Sequence, residues 1–343
     1  MASYSFNADS IGDNIQADLG GFGFAYVGEN VTVASLLSFT IQGSGSLHSV
    51  FVEGTVVGVS AILLGDDPDV DAGQQLFIGE QGSVIGMVPN FNAIQLTGSG
   101  SRIDNRGEIH SAFQGVTVIG NDAGGSVSRL DNHGTIEATS WAVAHQGSER
   151  FVVRNWGLIS SFDGNAITGA FGSAVEEIVN LGEIVGSVYL DGGNDQFDGR
   201  KGIQSLVDAG SGDDAVLGGT GNEILAGGAG KDILSGGGGR DTFVFDAAPI
   251  AANADRITDF NTKFDLIRLD SIDFAGLAAG ALAVDAFIAN RGGKAQDAED
   301  RIIYETDTGR LLYDADGKGG DAAELVVTLS KALRLTAADF FVI

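Results

Sequence analysis

The segment from Ala209 to Val244 reads AGSGDDAVL GGTGNEILA GGAGKDILS GGGGRDTFV when it is divided every nine residues. In each nonapeptide, small residues hold the first two places, glycine the fourth, an acid the sixth and an apolar residue the eighth. The sixth-place acids are Asp214, Glu223, Asp232 and Asp241, and the eighth-place residues are Val216, Leu225, Leu234 and Phe243. Four copies in phase predict a repeating structure rather than a flexible Gly/Asp linker.

The chemistry of the nonapeptide indicates a cation site. Glycine permits backbone turns whose carbonyl oxygens point at a common centre. The sixth-place carboxylate adds another hard oxygen, and a flexible shell of hard oxygens suits Ca²⁺ before Mg²⁺. If two nonapeptides make one coil, the loop of Asp214 stacks on that of Asp232, and the loop of Glu223 stacks on that of Asp241.

These repeats resemble the RTX (hemolysin-type) family, whose nonapeptide GGxGxDxUx forms a calcium-binding parallel β-roll. The resemblance implies Ca²⁺ between stacked turns, held by glycine carbonyls and sixth-place acids. Glu223 departs from the family's aspartate, and Gln204 stands upstream where an acid is expected. The predicted calcium ligands are Asp195, Gly210, Gly212, Asp214, Gly218, Gly219, Gly221, Glu223, Gly227, Gly228, Gly230, Asp232, Gly236, Gly237, Gly239 and Asp241, with Asp259 and Asp265 as second-rank candidates.

A longer repeat precedes the nonapeptides. Its anchor, apolar-x-Asn-x-Gly-x-Ile, places asparagine at 105, 132, 155 and 180, and weaker copies surround Gly54 and Gly82. Each unit of roughly 25 residues also carries two further short apolar segments between turn residues, which is typical of one rung of a parallel β-helix. Stacked rungs would align the four asparagines as an amide ladder. This part is similar to the solenoids of bacterial surface and autotransporter-type proteins.

Beyond Phe245 the pattern changes. DTFVF, DRITDF, DLIRL, RIIYE, LLYDADGKGGD and the final DFFVI predict strands and turns, whereas the Ala-rich segment 277–290 predicts a helix. The series closely resembles the C-terminal domain of serralysin-type proteins. That resemblance implies a domain that caps the roll and carries an uncleaved C-terminal signal for type I secretion.

Two further acidic segments leave alternatives open. Asp314-Ala-Asp316-Gly317 fits a calcium turn or a plain type I turn equally well. The three alternating acids from Asp67 to Asp71 favour a solvated loop, because no glutamate follows at the EF-hand distance.

Composition restricts the partners. The chain of 343 residues has a formal charge of −27, and residues 1–190 contain five arginines and no lysine, which disfavours nucleic acid or an anionic membrane as a partner. There is no cysteine, so calcium is the predicted stabiliser outside the cell. Neither an N-terminal secretory signal nor an apolar run of membrane-spanning length is present in the sequence.

The sequence contains neither a protease zinc motif nor a lipase nucleophile motif. The four histidines, at 48, 110, 133 and 145, form no HExxH zinc motif, and the lipase elbow GxSxG is missing. A polysaccharide lyase or epimerase stays open, since Arg102 and Arg129 occupy equivalent places in adjacent rungs and could neutralise a uronate. Trp156 could stack on a sugar or cover a neighbouring rung. We therefore expect no enzyme of the protease or lipase class.

The sequence predicts an all-β protein, in which a right-handed parallel β-helix continues into a calcium-binding parallel β-roll with a small β-rich cap. Residues 1–40 are predicted as an N-terminal cap, 41–190 as the β-helix, 191–245 as the RTX roll, and 246–343 as the serralysin-type cap with the secretion signal. The predicted function is that of a secreted structural or adhesive protein of a Gram-negative bacterium. Its expected partners are calcium, the type I secretion apparatus, and either a cell-surface glycan or further copies of itself.

Overall fold

The structure is a computed structural model that describes residues 2–121, 125–169 and 172–343. The chain divides into two compact units, residues 1–192 and 193–343. Within the described ranges both units consist of short β-strands and turns, and the helices are three 3₁₀ turns in the second unit, at Ala251–Asn253, Val284–Ala286 and Ala337–Asp339. The prediction of an all-β protein is confirmed.

Unit 1 is a parallel solenoid in which the strands pair with their equivalents in the next rung. The first six rungs have three strands each, and in the last two rungs one longer strand takes the second and third places. The strands are β1 (Ala2–Phe6), β2 (Ser10–Gly12), β3 (Ala17–Asp18), β4 (Gly23–Val27), β5 (Thr32–Ser35), β6 (Ile41–Gly43), β7 (Ser49–Val52), β8 (Thr55–Gly58), β9 (Ile62–Leu64), β10 (Gln75–Ile78), β11 (Ser83–Gly86), β12 (Asn92–Thr97), β13 (Arg102–Asn105), β14 (Glu108–Ser111), β15 (Gln114–Gly120), β16 (Val127–Asn132), β17 (Thr135–Ala138), β18 (Val143–Gly147), β19 (Arg150–Asn155), β20 (Leu158–Thr168), β21 (Glu176–Asn180) and β22 (Glu183–Tyr189).

We call sheet A of unit 1 the parallel stack β1, β4, β7, β10, β13, β16, β19 and β21. Alternation along each strand sends every second side chain inward, so the core consists of columns of apolar residues. One column, buried to 2% exposure or less, contains Val50, Leu76, Ile103, Leu130, Val153 and Ile178. The intervening side chains face outward and give sheet A a second, solvent-facing surface.

The anchor glycines occupy places where successive turns meet. A Cβ atom on Gly134 would lie 2.0 Å from the carbonyl oxygen of Gly107, and one on Gly157 would lie 1.9 Å from that of Gly134. Gly182 meets the Gly157 carbonyl in the same way, at 2.2 Å. A side chain at these positions would force the rungs apart, which explains why glycine recurs in each anchor.

The predicted amide ladder is present. Asn105 Nδ2 donates to Asn132 Oδ1 over 2.7 Å, Asn132 Nδ2 donates to Asn155 Oδ1 over 2.8 Å, and Asn155 Nδ2 donates to Asn180 Oδ1 over 2.9 Å. All four side chains are fully buried. Because a buried amide is costly unless its hydrogen bonds are made, the ladder fixes the register of the rungs.

The segment predicted as an N-terminal cap forms strands. β1 and β4 are parallel partners in sheet A, and β4 pairs in turn with β7. β2 and β3 pair with β5 and β6. Residues 2–43 therefore have the same rung geometry as the segment that follows them.

A buried polar group interrupts the apolar core. His145 lies beside Val118 in the register of β15 and β18, and its Nδ1 is 2.6 Å from Oε1 of Glu176. The imidazole also stacks on Phe151 with ring centroids 4.9 Å apart. Burial lowers the pKa of His145 to about 4, against a smaller opposing effect of Glu149, so the ring is neutral at physiological pH.

Unit 2 begins with very short strands and ends in a mixed sheet. Its strands are β23 (Gln196–Asp198), β24 (Leu206–Asp208), β25 (Ala215–Leu217), β26 (Ile224–Ala226), β27 (Ile233–Ser235), β28 (Thr242–Phe245), β29 (Asp255–Ile257), β30 (Leu266–Leu269), β31 (Gly280–Ala281), β32 (Phe287–Asn290), β33 (Ile302–Glu305), β34 (Arg310–Tyr313), β35 (Glu324–Thr328) and β36 (Phe340–Val342). Two parallel stacks form the roll: β23, β25, β27 and β29 on one side, and β24, β26, β28 and β30 on the other.

The C-terminal residues complete these stacks. β36 pairs in parallel with β30, and β35 pairs in parallel with β29. The predicted helix over 277–290 is wrong, since this segment forms β31, a 3₁₀ turn and β32. Gly280 has a φ of +113°, and Phe287 pairs with Ile302 and contacts the Phe340 ring. Tertiary pairing overrides the helix propensity of the alanines.

Candidate metal centre

The sixth-place acids of the roll form two continuous stacks. In the first stack, the backbone N–H of Asp195 donates to Asp214 Oδ1 over 2.7 Å, that of Asp214 donates to Asp232 Oδ1 over 2.8 Å, and that of Asp232 donates to Asp255 Oδ1 over 2.9 Å. Each carboxylate thus bridges to the turn preceding it in the stack. The expected stacking of the Asp214 loop on the Asp232 loop is confirmed.

The second stack follows the same rule. The N–H of Glu223 donates to Asp241 Oδ1 over 3.0 Å, and that of Asp241 donates to Asp265 Oδ1 over 3.1 Å. Gln204 is buried to 5% exposure, at the place where the sequence lacks an acid. The strands explain the arrangement, because β26 and β28 pair with Leu225 opposite Phe243. The apolar eighth-place residue therefore aligns the acid two residues before it.

The stacked carboxylates are buried without compensating charge. Asp214, Glu223 and Asp232 are 1–2% exposed, and Oδ2, Oε2 and Oδ2 respectively have no hydrogen-bond partner among the described residues. Burial raises the pKa of Asp214 and of Glu223 to about 7, and it also raises the pKa of Asp232. Buried anionic oxygens without a partner are costly, so this geometry favours a cation beside them.

The glycines of the repeat provide close-packed turns. Gly212, Gly230 and Gly239 have φ values of +138°, +140° and +122°, a backbone region that L side chains rarely adopt. A Cβ atom on Gly230 would lie 1.8 Å from the carbonyl oxygen of Gly212. Successive turns therefore place carbonyl oxygens against one another at a spacing that only glycine permits.

The Glu223 repeat differs from its neighbours. Gly210, Gly228 and Gly237, at the second place, all lie in the left-handed region with φ from +85° to +92°. Gly219 and Gly221, at the second and fourth places of this repeat, lie outside it. The repeat in which glutamate replaces the family's aspartate thus also has a different turn geometry.

Asp259 and Asp265 both lie at the last glycine turn but contact it differently. Asp265 continues the second stack, and burial raises its pKa. Asp259 caps the turn instead, since its Oδ1 accepts from the Gly236 N–H over 3.0 Å and its Oδ2 accepts from the Gly237 N–H over 2.9 Å. Both line a depression of about 510 Å³ beside the turn.

Asp255 was missed by the sequence analysis. It ends the first stack, is 5% exposed, and has a pKa that burial raises to about 8. Ile257 pairs with Leu234, so Asp255 and Ile257 reproduce the sixth and eighth places of a nonapeptide without its glycines. In the sequence, only the acid-x-apolar spacing of Asp255 and Ile257 indicated that Asp255 belongs to the stack. A ladder at the fifth place was also missed: Asp213 Oδ1 accepts from the Lys231 N–H over 2.9 Å.

The two other acidic segments make hydrogen bonds to their own backbone, but Asp316 Oδ1 is buried without a partner among the described residues. Asp71 Oδ2 accepts from the backbone N–H groups of Asp66 and Asp67, at 2.8 and 3.0 Å. Asp316 Oδ2 accepts from the Gly320 N–H over 2.8 Å, and Asp314 Oδ1 accepts from the Asp316 N–H over 3.3 Å. These contacts are those of side-chain-capped turns.

The roll's donor set fits calcium. Among the described residues, no three acidic or imidazole side chains converge on one point as a self-sufficient metal cluster. The acids occur instead as stacked pairs within glycine turns, so backbone carbonyl oxygens must complete any coordination shell. A shell of carboxylate and carbonyl oxygens with flexible geometry is the preference of Ca²⁺, whereas Mg²⁺ demands an octahedron and zinc prefers nitrogen and sulfur.

The histidines have other contacts. His48 Nδ1 and Nε2 lie 2.9 Å from Gln74 Oε1 and 2.8 Å from the Gly20 carbonyl oxygen. His110 lies between the carboxylates of Glu108 and Glu137. His133 stacks on Trp156 with ring centroids 4.3 Å apart, so this indole covers a neighbouring rung.

Comparison with known proteins supports the assignment of the C-terminal part. Residues 180–342 match the family model described as Peptidase M10 serralysin C terminal. This match agrees with the serralysin-type resemblance read from the sequence and, with the repeat geometry, supports a calcium-binding β-roll. A similar solved structure is the solution structure of the AlgE6R3 subunit from the Azotobacter vinelandii mannuronan C5-epimerase. It is 27% identical, with 50% of this chain and 81% of that chain covered and a TM-score of 0.28. A search of the curated proteins found no match.

Proposed function

We propose that this chain is a secreted structural or adhesive protein of a Gram-negative bacterium that folds on binding Ca²⁺ after type I secretion. The observation that carries the proposal is the stack of buried sixth-place acids, in which Asp214, Glu223 and Asp232 each have a carboxylate oxygen without a hydrogen-bond partner in the described part of the chain. The match of residues 180–342 to the serralysin C-terminal family model supports the same reading.

The roll residues would hold calcium in two groups. Asp195, Asp214, Asp232 and Asp255 supply carboxylates along one stack, and Glu223, Asp241 and Asp265 supply them along the other. Bound calcium supplies positive charge that offsets the repulsion between these anions. The protein's own part is to align the acids through the short strands and to present carbonyl oxygens at the glycine turns.

Export and folding are coupled in this proposal. A chain with a formal charge of −27 and no cysteine has little to hold it compact when calcium is scarce. Low cytosolic calcium would keep the roll unfolded for passage through a type I channel, and external calcium would fold it. The C-terminal DFFVI, proposed as the secretion signal, forms β36 against β30 only in the folded state.

The role of unit 1 in this proposal is to present a solenoid surface outside the cell. Among the residues that the structure describes, none belongs to a helix of the length and apolarity that a bilayer crossing requires. Attachment to a surface glycan, or side-by-side assembly into a layer or matrix, would use the outward faces of the rungs. Light scattering with added calcium distinguishes assembly from a monomeric binder.

The test is a calcium titration of the purified protein. Far-UV circular dichroism after removal of divalent ions should show reduced strand content, and added Ca²⁺ should restore it. Both tryptophans, Trp141 and Trp156, lie in unit 1, so their fluorescence reports on that unit separately. Strand content that is the same with and without calcium would contradict the proposal.

A second candidate is a polysaccharide lyase or epimerase that acts on acidic glycans through unit 1. One observation favours it. In the register of β13 and β16, Arg102 lies beside Arg129, and Asp104 lies beside Asp131, on the outer face of sheet A. The outward positions of β13, β16 and β19 carry Arg, Asp and Val but no His, Lys or Tyr, so binding is better supported than proton transfer. Absorbance of unsaturated ends with alginate or pectin tests a lyase, and NMR tests an epimerase.

A further inference from the structure

The basic side chains of unit 1 are confined to one surface. Residues 1–192 contain five arginines and no lysine. All five lie on three successive strands of sheet A, β13, β16 and β19, or on the turn directly after β13. They are Arg102, Arg106, Arg129, Arg150 and Arg154. The positively charged side chains of unit 1, which is rich in acids, therefore lie on one sheet.

Register places three of these arginines in two outward columns. One column contains Gln75, Arg102 and Arg129, and the other contains Phe51, Phe77, Asp104, Asp131 and Arg154. Neighbouring members of a column are about 4.8 Å apart, the spacing of paired strands. We call these eight residues the arginine-aromatic face.

Three of the five guanidinium groups of unit 1 have no acidic partner among the described residues. Arg106 pairs with Asp104, and Arg150 pairs with Glu177. Arg102, Arg129 and Arg154 make no ion pair with any described residue. Arg129 Nε and Asp131 Oδ1 are buried side-chain atoms with no hydrogen-bond partner in the described part of the chain. A guanidinium group on an outward face that makes no ion pair can donate its exposed N–H groups to an acidic ligand.

Aromatic rings adjoin the arginines along the stack. The ring centroids of Phe24 and Phe51 are 5.6 Å apart, and those of Phe51 and Phe77 are 5.9 Å apart. The guanidinium carbon of Arg106 lies 5.6 Å from the Phe77 centroid. These phenylalanines face outward and are half-buried, so their rings form an apolar strip that runs into the charged rungs.

A depression of about 280 Å³ lies where the phenylalanine strip meets the arginine-bearing rungs. Its side-chain lining includes Phe51, Gln75, Phe77, Arg102, Asp104 and Asp131. The lining combines the flat apolar rings of phenylalanine with planar polar groups. The guanidinium group donates hydrogen bonds in pairs, and the carboxylates accept them in pairs.

We infer that the arginine-aromatic face binds an acidic polysaccharide whose charge is carried by carboxylates. The planar guanidinium fork matches a carboxylate in bidentate geometry. The phenylalanine strip suits the apolar faces of sugar rings, which stack on aromatic side chains. For binding of an acidic polymer, the local charge of this face matters more than the net charge of the protein. The reason is that interactions between charges more than about 10 Å apart are screened at ordinary ionic strength.

Nucleic acid is a poorer fit for the same face. Duplex DNA carries one charge per about 1.7 Å and is held by many cationic contacts. Three uncompensated arginines cannot balance such a density, and acids dominate the remaining surface of unit 1. A uronate polymer has fewer charges along its length and offers sugar rings to the aromatic strip.

The inference rests on the adhesive role proposed above and names its partner. Its test therefore uses calcium-loaded full-length protein whose folding has first been checked by circular dichroism. A protein that fails to respond to calcium contradicts the proposed function, whereas a calcium-folded protein that ignores the glycan contradicts only this inference.

The experiment measures binding to immobilised hyaluronan, a uronate polymer, and to dextran, dextran sulfate and single-stranded DNA. The wild type should bind hyaluronan, more weakly as NaCl is raised. The variant R102Q/R129Q/R154Q should lose at least about tenfold in affinity, a change of about 1.4 kcal/mol. Phe51→Leu with Phe77→Leu, which keeps apolar bulk but removes the rings, should lose about fivefold.

Arg310→Gln is the matched control, because it removes an exposed arginine of unit 2 and leaves the face intact. It should bind within about twofold of the wild type, as expected for a distant site. Tryptophan fluorescence confirms that each variant retains the fold of unit 1. Loss confined to the face variants supports the inference. Any one of five results overturns it: no binding of hyaluronan, a triple variant that binds like the wild type, equal binding of dextran, preference for dextran sulfate, or tighter binding of DNA.

Discussion

Asp232 Oδ1 accepts a 2.8 Å hydrogen bond from the backbone N–H of Asp214, a residue 18 positions earlier, while Oδ2 of both side chains is buried without a partner among the residues that the structure describes. One oxygen of each carboxylate therefore sets the stacking of the turns, and in the proposed calcium site the other would face the cation. Turn stacking and calcium binding would then use different atoms of the same side chain, so substitution can separate them.

Asp232→Asn should weaken calcium binding more than it disturbs the stack. The amide retains an oxygen for the Asp214 N–H but removes one negative charge, and calcium affinity depends on the charge count of the ligands. We expect affinity to fall by about tenfold, or about 1.4 kcal/mol, in calorimetric titration.

Asp213→Asn is the control for that variant. Asp213 is an exposed neighbour at the fifth place, where its Oδ1 accepts from the Lys231 N–H. The substitution makes the same change of charge and should leave calcium affinity nearly unchanged. Equal effects of the two substitutions would show that net charge, rather than the sixth place, governs binding.

The calcium-free roll should lose stability as pH rises. Burial raises the pKa of Asp214 and Glu223 to about 7 and that of Asp255 to about 8. A group whose pKa is raised on folding contributes stability that is complete below its unfolded value, near 4, and lost as pH rises through the folded value. Circular dichroism without divalent ions should therefore show more strand content at about pH 5.5 than at about pH 8.5.

Saturating calcium should remove most of this dependence, because a bound cation stabilises the charged carboxylates and lowers their pKa values. Calcium binding near neutral pH should then release protons, which calorimetry in buffers of different ionisation enthalpy detects. A calcium-free roll that becomes more stable at the higher pH would contradict the assigned burial of these acids.

Gly230→Ala should destabilise the roll even with calcium present. The position has a φ of +140°, and the added Cβ would lie 1.8 Å from the Gly212 carbonyl oxygen. Backbone strain and forced separation of the turns each cost about 1–3 kcal/mol. Chemical denaturation of the calcium-loaded protein measures the loss.

Gly238→Ala provides a comparison from the next turn. The nearest atom to its Cβ would be the Thr220 Cα at 4.0 Å, and its φ lies outside the left-handed region. This variant should unfold close to the wild type. If both alanines cost the same, close packing of the fourth-place glycines is not what stabilises the roll.

The amide ladder predicts a graded loss of stability in unit 1. Asn132→Ala removes a bond received from Asn105 and one donated to Asn155, whereas Asn105→Ala removes only its bond to Asn132 from the ladder. Each buried hydrogen bond contributes about 1 kcal/mol, and a stranded partner costs more. Urea unfolding, followed by tryptophan fluorescence, measures the stability of both variants. Asn132→Ala should be less stable than Asn105→Ala. The reverse order would contradict the ladder's role.

Sequence periodicity predicted the parts of this protein that are set by local repetition. The nonapeptide places Asp214 on Asp232, and the anchor places Asn105 on Asn132, because equivalent residues of a parallel solenoid must stack. A fixed spacing is sufficient information for such contacts.

Contacts that break the repeat could not be predicted in this way. Asp255 completes a stack after the glycine turns have ended, and segment 277–290 forms strands because the distant Ile302 and Phe340 pack against Phe287. Such placements depend on tertiary pairing between segments with no shared period. His145 occupies a core column for the same kind of reason, since its partner Glu176 comes from β21, 31 positions further along the chain.

That buried pair predicts a pH response of unit 1 opposite in sign to that of the roll. Burial lowers the pKa of His145 to about 4, while the unfolded chain titrates near 6.5. The unfolded state then binds more protons between these values, so stability is complete above about pH 6.5 and is lost as pH falls. Between about pH 6.5 and pH 5 the loss is about 2 kcal/mol, from 1.36 kcal/mol per pH unit.

His145→Gln isolates this contribution, because glutamine does not titrate and can still donate a hydrogen bond to Glu176. Tryptophan fluorescence during urea unfolding of the calcium-loaded protein reads unit 1 alone, since Trp141 and Trp156 both lie there. The variant should lose about 2 kcal/mol less than the wild type over that pH interval. An identical pH dependence in the two proteins would mean that His145 keeps an ordinary pKa, and that the carboxylates of Glu149 and Glu176 offset its burial.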